Sequence, residues 1–288
     1  MVADHTPFTE NHISAVVLTA GDDLRCFAHC RDTVEVGLLL SGTATVQLSG
    51  NRYMLSPGDI YAASPNAVLS LTAFSEDAQL LRLRFSMDMI CPHPEHFFYR
   101  DFWEPLSQGS MQLPPHLPEN HSATPVLVEL LTTILHTADR LQCFALLMEL
   151  CLVLMPHCIY APDNAPDLGV ANRTVRFCMI YIINQYHKKI RLARIARYVK
   201  CHPNYLCSLF KSHTGMTVVE YLYHIRVETA AELLCKEDLS ISKISEVTGF
   251  PNRSTFYKKF RQIMGVSPST YRKEHTIHKS PFSGTPGG

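Results

Sequence analysis

Residues 241–271, ISKISEVTGFPNRSTFYKKFRQIMGVSPSTY, decide the fold of the C-terminal part of this chain. Their pattern of apolar, small and glycine positions occurs a second time upstream, within residues 192–221. The offset between the two copies is 49 residues in the first half of the pattern and 50 in the second, so the downstream copy has one extra turn residue. The matching positions are Ile195 and Ile244, Ala196 and Ser245, Leu206 and Phe256, Phe210 and Phe260, and Tyr221 and Tyr271.

Each copy predicts a helix, a tight turn and a second helix. Ala196 and Ser245 are small enough for two helices to cross closely, and Gly249 can adopt the left-handed conformation that a tight turn needs. Asn252 is suited to start the second helix of the downstream copy, as an N-cap. Thr217 and Glu220 have the spacing of a capping box, which predicts a long helix through about Cys235 that joins the two copies.

The second helix of each copy is predicted to turn a polar face outward. Apolar residues at helical spacing point inward, and a polar or basic outer face on such a helix is what the DNA major groove requires. Basic residues are denser in the downstream helix, between Arg253 and Arg261, than in the upstream one. The outward-facing candidates for DNA contact are Asn204, Cys207, Ser208 and Lys211 in the first copy, and Arg253, Ser254, Tyr257 and Lys258 in the second.

The distribution of charge divides the chain between residues 170 and 171. The 288 residues carry 26 Lys and Arg against 26 Asp and Glu, so the formal net charge is zero. Residues 1–170 nevertheless hold seven Arg, no Lys and 19 acidic residues, whereas residues 171–288 hold 19 basic and seven acidic residues. A net −12 half followed by a net +12 half predicts that only the second half meets a polyanion.

From Asn172 to Arg272 these residues resemble the AraC/XylS family of bacterial transcription regulators. The strongest resemblance lies in Ile244–Phe250, Ser254–Phe260 and Gly265–Tyr271. It implies two helix-turn-helix units that dock in successive major grooves. The residues that it implies face the bases are Asn204, Cys207 and Ser208 in the first unit, and Arg253, Ser254, Tyr257 and Lys258 in the second. His202 stands where the family has a serine N-cap, and Cys207 is a poor reader of bases, so the second unit is expected to carry more of the sequence specificity.

The acidic half predicts a β-sandwich or barrel. Short apolar runs recur over residues 13–86 and are separated by turn residues, and Thr43–Leu48 alternates as a strand with one wet face does. Residues 87–121 are predicted to be irregular. The predicted strands are Ile13–Ala20, Leu24–Ala28, Val34–Leu40, Thr43–Leu48, Ile60–Ala63, Val68–Phe74 and Leu80–Phe85.

Two helices are predicted after this β region, with Thr124 as N-cap and Pro125 in the first turn. The second, from about Arg140 to Met155, is apolar on more than one face. Two interpretations stay open, a cover for the barrel and the seam of a dimer. Its most apolar stretch, Cys143–Met155, contains Glu149 and is shorter than the ~20 residues that a membrane span needs.

The acidic half also resembles the cupin-type sensor domain that many members of this family carry, through Glu35, Gly42 and Tyr53–Ile60. The resemblance implies that a metal-binding cupin would hold its metal with two histidines, a glutamate and a later histidine. His29 and Glu35 fit that set, but Arg31 and Val68 stand at or near the other two positions, so neither a metal nor another cofactor is predicted. His29, Arg31 and Glu35 are the candidate effector-binding residues. For Arg31, an ion pair with Asp32 or Glu35 is the alternative.

The sequence therefore predicts an α+β protein of two domains: a cupin-like β-barrel with covering or dimerisation helices, then an all-α tandem helix-turn-helix. The predicted parts are a sensor domain (1–121), a helical segment (122–160), a linker (161–171), a DNA-binding domain (172–275) and a flexible tail (276–288). The expected function is a cytoplasmic, dimeric, ligand-responsive transcription activator. Its expected partners are promoter DNA, a small molecule for which the resemblance favours a sugar, and RNA polymerase, but not a membrane. The alternatives are a cupin-type metal enzyme fused to a DNA-binding module and an architectural DNA binder.

Overall fold

The computed structural model describes residues 13–20, 29–30, 33–86, 90, 95–160, 166–236 and 239–275. Contacts between Cα atoms divide the chain into two compact units. The first unit comprises residues 1–179 and 204–216, and the second comprises residues 180–203 and 217–288. The predicted strand Leu24–Ala28, the candidate Arg31 and the tail from residue 276 lie outside the described residues.

The first unit is built on two four-stranded antiparallel sheets. One sheet has the order β1-β8-β3-β6 and the other β2-β7-β4-β5, and a separate short pair joins β9 to β10. The strands are β1 (Ile13–Thr19), β2 (His29–Cys30), β3 (Val34–Ser41), β4 (Ala44–Leu48), β5 (Asn51–Leu55), β6 (Ile60–Ala63), β7 (Val68–Phe74), β8 (Gln79–Phe85), β9 (Met111–Gln112) and β10 (Ile159–Tyr160).

The alternation of side chains along the first sheet creates two apolar cores. Val34, Val36 and Leu38 of β3 pack on one face, in a core shared with the helices of this unit. Leu39 and Leu80 belong to a second core, formed by side chains of both sheets. Because neighbouring residues of a strand point to opposite faces, Glu35 and its register partner Arg84 point away from the helix-covered face.

Helices of the first unit follow the sheets. A π-helical turn, Tyr99–Trp103, leads into α1 (Glu104–Gln108), where the sequence predicted irregular chain. Then come α2 (Thr124–His136) and α3 (Arg140–Leu154). The prediction that Thr124 is an N-cap is wrong by one position, because Thr124 is already helical and its hydroxyl donates to the carbonyl of Pro118 at 2.8 Å.

The two faces of α3 have different surroundings. Leu147, Leu150 and Leu154 are buried in the core shared with the first sheet, whereas Leu141 is 81% exposed and Leu152 is 53% exposed. Residues 140–157 are long and apolar enough to cross a membrane by length and composition alone, a test that core helices also pass. One face of α3 thus packs in the core of the first unit, while its apolar outer face is exposed.

Helices make up the rest of the described chain. The prediction of a linker from composition extends too far, because α4 begins at Pro166 within that segment, and proline is favoured in the first turn of a helix. The helices are α4 (Pro166–Gln185), α5 (Leu192–Tyr198), α6 (Pro203–Thr214), α7 (Val218–Lys236), α8 (Ile241–Val247), α9 (Arg253–Met264) and α10 (Pro268–His275).

The capping box and the left-handed glycine predicted for the helix-turn-helix pattern are both present. The backbone N–H of Thr217 donates to Glu220 Oε2 at 2.7 Å, and that of Glu220 donates to Thr217 Oγ1 at 3.2 Å, which completes the capping box. Gly249 has φ +80°, and a Cβ there would lie 2.7 Å from the carbonyl oxygens of Tyr186 and His187. The predicted fold class, a β-rich domain followed by a helical helix-turn-helix domain, is confirmed.

Candidate DNA interface and effector site

Helix α9 separates an apolar face from a polar one. Phe256 and Phe260 are fully buried, in a core with residues of α7 and α8 and with Phe250 of the turn. The Asn252 side chain accepts a hydrogen bond from the backbone N–H of Thr255 at 2.8 Å, and this cap fixes where the helix starts. The four predicted base-facing residues, Arg253, Ser254, Tyr257 and Lys258, are all exposed on the outer face.

The basic residues of α9 have different local roles. Arg253 Nε donates to Ser242 Oγ of α8 at 2.8 Å, so this guanidinium is held at the junction of the two helices. Lys259 Nζ lies 5.4 Å from the ring centroid of Tyr223 and 3.0 Å from Gln262 Oε1. Lys259 therefore packs beside α7, which leaves Lys258 as the lysine on the outer face of α9.

Helix α6 has the same two-faced pattern. Leu206 and Phe210 are buried, and the predicted residues Asn204, Cys207, Ser208 and Lys211 are exposed. This face carries a single basic side chain, Lys211, so α6 offers less positive charge than α9.

The last turn of α6 contacts the second sheet within the first unit, a feature that the sequence analysis missed. Gln47 Nε2 of β4 donates to the carbonyl of Ser212, and Ser70 Oγ of β7 donates to that of Thr214 at 3.4 Å. The last carbonyls of a helix lack partners inside the helix, and these side chains supply them. Gln47, which the alternation had placed on a wet face, is therefore buried.

A buried polar cluster surrounds Glu35 in the sheets. Arg84 Nε donates to Glu35 Oε2 at 2.5 Å, and the Tyr61 hydroxyl donates to Glu35 Oε1 at 2.8 Å. His29 Nε2 of β2 lies 3.1 Å from Glu35 Oε2 and 3.4 Å from Arg84 Nη2. The structure thus brings together two of the three predicted effector residues, His29 and Glu35, while the third, Arg31, is not described.

Arg84 is the partner of Glu35 that the sequence analysis missed. The sequence signal for Arg84 was the alternation of Leu81, Arg82, Leu83 and Arg84. This alternation places both arginines on the same face of the first sheet as Glu35 of β3. Burial alone raises the pKa of the Glu35 carboxyl, but the positive charge of Arg84 and the hydrogen bond with His29 leave that pKa well below its usual value. Glu35 is therefore an ionised, fully partnered carboxylate.

Metal binding finds little support in this cluster. Both carboxylate oxygens of Glu35 already accept hydrogen bonds, and a guanidinium occupies the place beside them. Among the described residues, no group of three or more His, Cys, Asp or Glu side chains is arranged to hold a metal ion.

Two known domain families match the chain. A family described as the AraC-like ligand binding domain matches residues 13–151, and a helix-turn-helix domain family matches residues 195–274. The first match spans both sheets together with α2 and most of α3, and the second spans α6 to α9 and most of α10.

Curated relatives are regulatory proteins. The regulatory protein PocR of Salmonella typhimurium is 31% identical over 160 residues, which is 52% of this chain and 52% of PocR. The melibiose operon regulatory protein of Escherichia coli K12 is 30% identical over 104 residues, 36% of this chain and 34% of that protein. The matched region thus spans about half the length of PocR and about a third of the melibiose regulator.

Among solved structures, ToxT from Vibrio cholerae aligns over 93% of this chain and 100% of its own, with 16% sequence identity and a TM-score of 0.46.

Proposed function

We propose, from the chain's membership of the AraC/XylS family of transcription regulators, that it is a ligand-responsive, sequence-specific DNA-binding regulator. It acts by binding rather than by catalysis. In this proposal the chain works in the cytoplasm as a homodimer, occupies promoter sites and activates transcription by engaging RNA polymerase.

The observation that carries this proposal is the outer face of α9. A capped helix, anchored by two buried phenylalanines, presents Ser254, Tyr257 and Lys258 to solvent beside Arg253. A rigid helix with exposed hydroxyl and cationic groups suits a major groove, where lysine pairs with guanine and hydroxyls contact any base. In this proposal Lys258 reads a base and Arg253 contacts a phosphate.

Helix α6 is proposed as the second reading element, through Asn204, Cys207, Ser208 and Lys211. An asparagine can pair with adenine in the major groove, whereas a thiol is a weak donor. With one basic side chain on its outer face, α6 contributes less to affinity than α9.

Effector recognition is proposed for the polar cluster of the first unit, through His29, Glu35 and, as the sequence predicts, Arg31. Tyr61 and Arg84 each donate a hydrogen bond to Glu35, so in this proposal Glu35 is the fixed anchor that orients the cluster around a small polar ligand. The name of the melibiose operon relative supports a sugar as one candidate for that ligand.

A binding assay with the full chain tests this proposal. Fluorescence anisotropy on duplex DNA should give an affinity that falls steeply with salt, because each phosphate contact releases counterions. Arg140→Ala, which removes an exposed arginine of α3 in the first unit, should leave that affinity unchanged. Binding that is insensitive to salt, or equal for every DNA sequence, would contradict the proposal.

A further inference from the structure

A cleft of about 310 Å³ lies in the first unit, away from the Glu35 cluster. Its walls come from the turn between β4 and β5, the turn 64–67, the segment 106–115 that contains β9, and the part of α4 around residues 172–176. None of His29, Glu35 or Arg84 lines it. This volume is at the small end of ligand pockets, ~300–1,000 Å³, so the cleft suits a small metabolite.

All the charge on the cleft wall is positive. Arg173 and Arg176 line it, and no Asp or Glu side chain does. Within the described part of the chain, neither arginine forms an ion pair with a carboxylate. Like charges three residues apart on a helix repel each other, and an anion bound between them removes that repulsion. Guanidinium groups also match the geometry of phosphate and carboxylate oxygens.

Asn172 gives a second, independent indication of a ligand. It lines the cleft one residue before Arg173, and its side-chain Oδ1 is buried without a hydrogen-bond partner. A buried acceptor left unpaired costs free energy, and turning this side chain towards a ligand hydroxyl in the cleft would remove that cost.

The rest of the lining combines apolar and polar side chains. Leu106 and Met111 are buried lining residues, and amide and hydroxyl side chains such as Tyr53 and Gln112 also line the cleft. Burial raises the pKa of the Tyr53 phenol despite a hydrogen bond from Asn51, so this hydroxyl stays protonated and can donate. Amide and hydroxyl groups suit a ligand that carries several hydroxyls of its own.

We propose that this cleft is a second small-molecule site, which binds a hydroxylated anion of the sugar-phosphate or sugar-acid class. Arg173 and Arg176 bind the anionic group, and Asn172 accepts from a ligand hydroxyl. The site is separate from the effector cluster and goes beyond the proposed function.

Isothermal titration calorimetry on the full chain tests this inference with glucose 6-phosphate, gluconate and uncharged glucose as probes. At least one of the two anions should bind at least about tenfold more tightly than glucose, a difference of about 1.4 kcal/mol. A preference between the two shows whether the site takes a phosphate or a carboxylate.

Two variants locate the binding. The double variant Arg173→Ala/Arg176→Ala should lose at least about tenfold in affinity for the anion, whereas Arg140→Ala, an exposed arginine outside the cleft, should change it less than about twofold. Circular dichroism checks that each variant is folded.

The inference is wrong if neither anion binds at millimolar concentration, if glucose binds as well as they do, or if the double variant binds like the wild type. Because these readouts involve no DNA, a failure of DNA binding with intact anion binding would count against the proposed function alone.

Discussion

Glu35 shows most clearly how one residue depends on its surroundings. Glu35 is 3% exposed, and its carboxylate accepts hydrogen bonds from Arg84 and Tyr61. Glu35→Gln should lower the free energy of unfolding by about 3–5 kcal/mol, because it leaves the buried guanidinium of Arg84 without a counter-charge. Urea denaturation measures this, with Glu76→Gln in an exposed turn as the control. Equal losses of unfolding free energy in Glu35→Gln and Glu76→Gln would contradict the role of Glu35 as the counter-charge of Arg84.

The same carboxylate predicts a loss of stability in acid. Its pKa in the folded state lies well below the ordinary value of 4.5. Its stabilising contribution is therefore complete above pH 4.5 and is lost as the pH falls from there through the folded-state pKa. The wild type should lose more stability than Glu35→Gln over this interval, and parallel pH profiles would contradict this.

Lys258 is the residue on which sequence preference at one base should depend. If its ammonium group pairs with guanine, Lys258→Ala costs ~1–3 kcal/mol on the cognate site and relaxes the preference at that one position. A phosphate contact would instead weaken all sequences equally and lower the salt slope by about one. Lys243→Ala is a matched control, since that exposed lysine pairs with Glu246 on α8. Wild-type affinity and specificity in Lys258→Ala would exclude α9 from the groove.

At the scale of elements, two substitutions of the α9 cap residue Asn252 distinguish its contribution to stability from its effect on DNA binding. Asn252→Ala removes the acceptor for the Thr255 N–H and should destabilise the protein by about 1 kcal/mol. Asn252→Asp keeps an acceptor there and should retain stability, but its negative charge should repel phosphates and weaken DNA binding. Thermal denaturation and anisotropy measure the two effects. Unchanged DNA affinity in Asn252→Asp would place this end of α9 away from the backbone of the duplex.

Sequence patterns predicted strands and helices best where a single spacing of apolar residues dominated. Alternation or apolar runs located six of the described strands within one residue at each end, and helical spacing identified the two buried aromatic anchors of α9. The helical turn at Tyr99–Trp103 was missed because Pro and His in the surrounding segment suggested irregular chain. Local sequence also gives no sign that Gln47 meets the end of α6, since the two are 165 positions apart.

The polar cluster could be predicted only in part. A resemblance indicated His29 and Glu35, and the structure joins them at 3.1 Å. Arg31, the third predicted effector residue, lies outside the described residues, and the guanidinium observed beside Glu35 belongs to Arg84, 49 positions away. Pairing between β3 and β8 brings these two residues together, and strand pairing depends on register that the sequence alone does not reveal.

At the scale of the whole molecule, the outer face of α3 predicts a homodimer. Leu141, Phe144 and Leu152 are exposed at helical spacing on a helix whose other face is buried. Phe144→Glu/Leu152→Glu should halve the mass seen by analytical ultracentrifugation without unfolding the chain. Val126→Glu, on the exposed side of α2, is the control and should leave the dimer intact. A wild type that sediments as a monomer at tens of micromolar would contradict the prediction.

Selection of DNA from a random library by the full chain tests the central claim most directly, that two helix-turn-helix units read DNA in tandem. Helix α7, Val218–Lys236, connects the two helix-turn-helix units along the chain. It is about 28 Å long at 1.5 Å per residue, which suits half-sites one turn of duplex, ~34 Å, apart. The enriched sequences should contain two half-sites separated by about 10 base pairs, and inserting five base pairs between them should abolish tight binding. Enrichment of no motif, or of a single half-site that binds equally well alone, would contradict the claim.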